Sequence, residues 1–480
     1  MPRLFITMVI SAMIMISGCR TLSPEPETGH AVDIPQAFSN QTKTSKAEPA
    51  ASSIENWWRI LASDELNTLI VKGLSQNYDV KVKEAKVAQA SATLEKEKAA
   101  LKPSLDYSFG GEKGHTRTKK SGQGTVSGGT HSWDASLSAD YTLDVWGQIS
   151  AAVKARTLEL EAARQDLNDT SLELSADIAE TWVNIVAVRT GKMVLQKQIE
   201  INQTHLELQK LRFLNGRASA LDVSQQREAL AQALSSMPLL EKEEGQLLNS
   251  LGYLLGETPG LDMNITTQEL PEMLFQPQPG IPVDLLENRA DIRAARERLE
   301  ASRQEVEEAK ADMMPSFTLS ASALFSSGSL DLLFQNWVAS LGAALAGPLF
   351  DGGLRQAEVE RTRAVVQEDL NLYARTISNA ILEVEDSLVG IDRQLEYVKR
   401  LEQELETVRL TLKDARVQYL NGQSSYLNYL TAWARIESLE RQLVSERANY
   451  VKERITLHRV IGWNDPVLKT TEIQPNAGAK

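Results

Sequence analysis

Few residues of this 480-residue chain are placed for covalent or metal chemistry. The five histidines (His30, His115, His131, His205 and His458) are scattered without metal-ligand spacing. No His-Glu-x-x-His, no Gly-x-Ser-x-Gly and no cysteine–histidine cluster occurs, so zinc hydrolysis and nucleophilic acyl transfer lack their parts. Gly122-Gln-Gly124 looks superficially like part of a phosphate loop, but it neither follows a buried parallel strand nor opens a helix. The sequence argues against an enzyme and requires no cofactor and no metal.

One side chain keeps a chemical role. Cys19 is the single cysteine, so no internal disulfide can form. It follows Leu4 to Ile16, an apolar run of about 13 residues, too short to span a membrane comfortably but suited to a secretory signal. The run ends in Ile16-Ser-Gly-Cys19, which resembles a bacterial lipobox: the chain is cut before the cysteine, whose thiol then carries lipid. Arg20 follows, not the aspartate that retains lipoproteins in the inner membrane, so the outer membrane is the expected address. Residues 1–18 read as a signal peptide. Residues 19–56, rich in Ser, Thr, Pro, Glu and Lys without periodicity, read as a lipidated tether.

Composition narrows the class further. A net charge of -13 with no basic stripe argues against a nucleic-acid footprint. Aromatics make up only 6%, while Ala, Leu, Glu, Gln and Arg fill long stretches, as in extended helices.

The elements come in two copies. Phe213-Leu-Asn-Gly216 recurs as Tyr419-Leu-Asn-Gly422 and Leu255-Gly256 as Ile461-Gly462, both pairs 206 residues apart. A unit of that length is a duplicated half-domain, not a solenoid repeat. The first copy spans 57–256 and the second 282–462. Residues 257–281 link them and 463–480 form a tail.

Each copy begins with a strand hairpin, at about 104–146 and about 316–349. Leu105, Tyr107 and Phe109 alternate with Ser104, Asp106 and Ser108; Trp133, Ala135, Leu137, Ala139, Tyr141, Leu143 and Val145 alternate with Ser, Asp and Thr. The second hairpin does the same with Phe317, Leu319, Ala321, Ala323 and Phe325, then Trp337, Ala339, Leu341, Ala343 and Leu345. Such an alternation, with aromatics at the ends, suits a lipid-facing barrel strand. Gly110 to Thr130, rich in Gly, Ser and Lys, is expected as an exposed loop. Asp64 to Ala100 is expected as one helix stopped by Pro103.

A helix of about 66 residues, roughly 100 Å at 1.5 Å per residue, follows each hairpin. Leu370, Ile377, Val384, Ile391, Val398, Leu405, Leu412 and Tyr419 recur every seven residues, as do Val153, Leu160, Leu167 and Leu174. A strict repeat of seven imposes supercoiling against partner helices. Turns at Asn215-Gly216 and Asn421-Gly422 then reverse the chain into return helices.

Four strands cannot close a barrel, since single-chain barrels need about eight and an open edge leaves backbone groups unpaired in hydrocarbon. Several copies must share one barrel, with the long helices continuing it as a tunnel. The fold class is mainly α with a membrane β-barrel; these considerations do not fix the subunit number.

Together with Trp57-Trp58, Pro282-Val-Asp-Leu-Leu-Glu-Asn-Arg289-Ala-Asp291-Ile292, Pro348-Leu-Phe-Asp-Gly-Gly353 and the two Asn-Gly turns, this arrangement resembles the TolC-like outer-membrane efflux channels, in their lipoprotein NodT-type branch. The likeness runs from Trp57 to Gly462. Ala290 stands where the family usually has Pro and Arg296 where it has Glu, which weakens a local helix start. The resemblance implies a homotrimer with a 12-stranded barrel, a periplasmic α-helical tunnel, a periplasmic adaptor and an inner-membrane pump of RND type. It also implies that the gate lies at the helical turns Asn215-Gly216 and Asn421-Gly422. Asp222, six residues after Gly216, matches the family's acidic position, whereas the second copy has Asn428 there. Arg217, Asp222, Tyr419 and Tyr426 would link neighbouring subunits and hold the end shut; Asp222 can equally be a helix N-terminal acid and the two tyrosines can equally be packing residues. The alternative function is a periplasmic adaptor lipoprotein, which would carry one helical hairpin flanked by compact β domains. No Met- or His-rich stripe singles out a metal cargo.

Overall fold

The computed structural model describes residues 34–39, 57–120, 123–260, 265–271 and 280–462; Cys19 and the signal sequence lie outside them. A 3-10 turn at Trp57–Leu61 leads into helices α1 (Asp64–Gln76) and α2 (Tyr78–Ala99), strands β1 (Ser104–Lys120) and β2 (Gln123–Leu143), and helices α3 (Gln148–Leu214) and α4 (Ala220–Leu254). The second copy supplies α5 (Ala290–Ala311), β3 (Ser316–Ser327), β4 (Trp337–Ala346), α6 (Leu354–Leu420) and α7 (Tyr426–Ile461). Both long helices have 67 residues, and their ends are offset by the 206 residues that separate the two turn motifs.

The four strands form one antiparallel sheet in the order β1-β2-β3-β4. Its register pairs Tyr107 with Leu137, Leu137 with Ala323 and Ala323 with Ala339, so every alternating apolar residue lands on the same face. That face is bare: Tyr107 and Leu341 are each 87% exposed. The other face carries hydroxyls, with Ser108 and Ser136 hydrogen-bonded across the strands at 2.7 Å. Asp144 and Asp351 then start the long helices. Asp144 accepts from the backbone N–H of Ile149 and Ser150, and Asp351 from those of Gly353 and Arg355, satisfying donors that no helical carbonyl reaches.

The seven-residue pattern becomes the helix seam. Ile377, Val384, Ile391, Val398 and Leu405 are all buried, the last two against Ile436 and Leu443 of α7. Leu160 of α3 packs between Val87 and Leu94 of α2 in the first copy. Midway along the long helices the body thickens. Trp57 stacks on His458 at 5.7 Å and donates to Ser175 at 2.9 Å, while Trp182 donates to Glu65 at 2.8 Å. Arg289 ties the start of α5 to both long-helix neighbours through Asp291, Glu383 at 2.7 Å and the Val460 carbonyl at 3.0 Å. Helix α5 begins at Ala290 despite the missing proline.

Four expectations require correction. The expected single helix over Asp64–Ala100 breaks at Asn77, whose side chain accepts from Asp79 and Val80 N–H and donates to the Leu254 carbonyl. It caps α2 better than it would continue α1. Gly110 to Thr130 is not a loop: β1 and β2 pair through this stretch to Lys119↔Thr125, because a backbone ladder needs no side chains and no proline interrupts it. The β2 strand also stops at Leu143, short of Trp146, where Asp144 turns to cap α3. Within the expected tether, Ile34–Ser39 packs on the body, with Phe38 buried among Leu285, Ile292, Val384 and Leu457. Ser39 N–H donates to Glu385 at 2.5 Å.

Two outcomes follow from this thickened region. Phe38→Ala removes a buried aromatic anchor, and a loss of about 3 kcal/mol from that contact releases the segment; limited proteolysis should cut the variant near residue 38 where the parent resists. Burial, with Asp291 and Glu173 nearby, pushes the Asp169 carboxyl up to about 7. The folded state therefore favours its protonated form, and stability is full below the ordinary value near 3.8 and is lost as pH rises towards 7. Asp169→Asn should melt with the parent at pH 4 and above it at pH 8, by about 1 kcal/mol after allowance for solvent at this half-buried site.

Candidate functional site

The two turns at the far end of the long helices are built alike. Leu214 and Leu420 end their helices, and the next residues, Asn215 and Asn421, leave the helical conformation. Gly216 and Gly422 then take φ +66° and +72°, a left-handed conformation that side-chain-bearing residues resist. The following N–H groups, of Arg217 and Gln423, reach back to the carbonyls of Arg212 at 2.8 Å and Gln418 at 2.9 Å, closing the helix ends. Asn215 adds a bond from Nδ2 to the Leu211 carbonyl at 2.7 Å. These repeated stops keep both tips at one level.

The acids and amides expected at the gate sit on this rim. Asp222 Oδ2 accepts from Ser219 N–H at 2.9 Å and Asp222 N–H donates to Ser219 Oγ at 3.1 Å, a reciprocal cap on α4. The carboxylate therefore has a local partner. Asn428 donates to Ser424 Oγ at 2.9 Å, and Arg217 is exposed. Tyr419 and Tyr426, by contrast, turn inward and meet at 5.2 Å between ring centres, with Tyr429 5.8 Å from Tyr426. The structure thus unites the two tyrosines and leaves Arg217, Asp222 and Asn428 on the surface at the turns.

The tyrosines join the two copies through a polar layer that periodicity could not reveal. Tyr426 is buried and its hydroxyl donates to Gln226 Oε1 of the first copy at 2.5 Å. Gln226 Nε2 donates to Asn202 Oδ1 at 2.9 Å, and Asn202 Nδ2 donates to Glu437 Oε1 at 2.6 Å. Trp433 Nε1 donates to the same Glu437 oxygen at 2.8 Å. Gln198 extends the layer to the Glu437 carbonyl at 3.1 Å and accepts from Arg441. Tyr419 makes the outermost link, its hydroxyl on Gln209 at 3.2 Å. Burial pushes the Glu437 carboxyl above the usual carboxylate range, opposed by the Trp433 and Asn202 donors.

Gln198, Asn202, Gln209 and Gln226 are all buried. A buried amide is costly unless bonded, so such a layer fixes how the first helical hairpin registers on the second. Their only sequence signal is polar residues at positions where an apolar seam is expected.

Among the described residues no helix is long and apolar enough to cross a membrane, and no group of acidic, His and Cys side chains could hold a metal. The bare apolar face of the sheet is the surface available to lipid.

Known proteins share this architecture. The family model described as "Outer membrane efflux protein" matches residues 69–257 and 281–463. The pyoverdine export outer membrane protein OpmQ of Pseudomonas aeruginosa is 27% identical over 95% of this chain and 96% of its own length. Nodulation protein T of Rhizobium leguminosarum bv. viciae is 26% identical over 93% and 91%. Among solved structures, the outer-membrane channel OprN superposes with a TM-score of 0.83 at 22% identity, covering 92% of this chain and 99% of that one. The outer membrane protein VceC from Vibrio cholerae gives a TM-score of 0.78 at 25% identity, over 87% and 100%.

The polar layer gives unequal costs at the two tyrosines. Tyr426→Phe strips a fully buried Gln226 oxygen of its donor and should lower stability by about 2 kcal/mol. Tyr419→Phe loses a longer, half-exposed bond and should cost less than about 1 kcal/mol. Thermal melting in detergent reads both, and equal losses would contradict the ranking.

Proposed function

The chain belongs to the outer membrane efflux protein family, and on that premise we propose how its parts serve as an export duct. It is the outer-membrane channel of an efflux system, a passive path for small molecules. The observation that carries this reading is the sheet: among the described residues it has four strands, apolar on one face and hydroxyl-lined on the other, unpaired along the outer edges of β1 and β4 and continued by helices about 100 Å long. Three copies bring twelve strands and close every edge. The bare face meets lipid, the serine-rich face lines water, and the helices enclose the periplasmic path.

The channel works with a periplasmic adaptor and an inner-membrane pump of RND type, which meet it at the helical turns. The adaptor reading of this chain itself is disfavoured by its two long hairpins and single continuous sheet. Cys19, outside the described residues, carries lipid in the outer membrane; the apolar run before it and the small residues at the cut support this. Arg217, Asp222, Tyr419, Tyr426 and Asn428 form the gate region at the periplasmic end, with Asn215, Gly216, Asn421 and Gly422 setting its level. Three Asp222 carboxylates around the narrowing favour cations. Nothing of the kind stands at Asn428, so the two copies contribute unequally to the gate.

Single-channel recording in planar bilayers tests this. The parent should show small, cation-selective conductance, and Asp222→Ala should lose at least half of that selectivity and conduct more. Unchanged selectivity and conductance would remove Asp222 from the constriction.

A further inference from the structure

Beside the polar layer, on the seam between α3 and α6 with α7 as its floor, lies a cavity of about 480 Å³ whose lining is at odds with the rest of the chain. The protein carries a net charge of -13, yet among the described residues no carboxylate lines this cavity and four cations do: Arg212, Arg409, Lys413 and Arg416. Arg409 is already neutralised by Glu406 at 2.7 Å and Glu440 at 3.6 Å. Among the described residues the other three make no salt bridge. Like charges brought together without counter-charge repel, and an anion entering between them relieves that cost.

The geometry of the cations is also specific. The Arg212 guanidinium lies over the Tyr419 ring at 4.7 Å, which fixes its plane, and its Nε is buried with no hydrogen-bond partner among the described residues. His205 Nδ1 is likewise buried and unbonded, while its ring meets Trp433 at 5.2 Å and Tyr429 at 5.9 Å. Lys413 and Arg416 stand exposed at the mouth, so they reach a ligand without any rearrangement of the bundle. The interior is therefore walled by aromatic rings and rimmed by positive charge. Its volume is that of a small-molecule site.

We propose that this cavity is a binding site for a planar aromatic carboxylate, whose ring lies among Tyr419, Tyr429 and Trp433 and whose carboxylate meets Arg212, Lys413 and Arg416. A lone phosphate or sulfate would satisfy the cations but leave the aromatic walls unused. An aliphatic acid would forgo the stacking. The site is built from one subunit, and its existence does not depend on the channel reading.

Isothermal titration of the full-length protein in detergent with 2-naphthoate tests the assignment, with 2-naphthylmethanol as the neutral analogue. Saturable binding of the carboxylate is expected, weakened at least tenfold in the Lys413→Gln/Arg416→Gln double variant and at least tenfold in Arg212→Gln. Both variants should melt close to the parent, because the two rim residues are exposed and Arg212 gives up no hydrogen bond from Nε. Absence of saturable binding, equal binding by the neutral alcohol, or undiminished binding by the double variant would each overturn the proposal. So would an acidic helical peptide that binds through Lys413 and Arg416 while 2-naphthoate does not, since the cavity would then serve a protein partner.

Discussion

Two unpaired sheet edges govern this molecule. Among the described residues the β1 and β4 strands each leave one row of N–H and C=O groups without partners, tolerable in water and prohibitive in hydrocarbon, where each unsatisfied group costs several kcal/mol. The apolar face of the same sheet is equally unstable in water, with side chains such as Leu341 and Tyr107 bare. Lipid satisfies the face, and only further copies of the sheet satisfy the edges. Assembly and membrane insertion are thus one requirement rather than two.

The helices transmit that requirement across the periplasm. Asp144 and Asp351 start them directly after the strands, so the ring of the barrel continues as a ring of helices. Equal lengths of 67 residues and matched glycine stops bring both tips of a subunit to the same depth. A duct built from unequal copies would be ragged at the end that must meet its partners. The polar layer from Tyr426 to Glu437 then fixes the two hairpins to one another just above those tips. Movement of the end must either carry both hairpins together or break bonds that have no water to replace them.

Much of this was legible in the residues. The alternation from Ser132 to Leu143 named one face of the sheet because the register keeps it on that face, and the seven-residue spacing from Ile377 to Leu405 named the seam because those residues are buried together. The matched Asn-Gly pairs placed both turns, since only glycine suits the conformation there. What escaped was set by tertiary partners. Asn77 breaks a helix by bonding to Leu254, 177 residues away. Gln226 finds Tyr426 200 residues on. Gly110 to Thr130 reads as a loop for its Gly, Ser and Lys, yet Thr116, Thr118, Thr125 and Val126 suit a strand and the backbone continues the register already set nearer the start of the long helices. Phe38 reads as a stray aromatic in a tether until the groove beside Ile292 and Val384 exists.

Further copies of the same chain are what closes the free edges. Native mass spectrometry of the full-length protein, released from mild detergent, measures this directly. A complex of three chains is expected, with no stable species of one chain retaining the sheet. A folded, stable monomer would contradict it, for its edges would then need no partner.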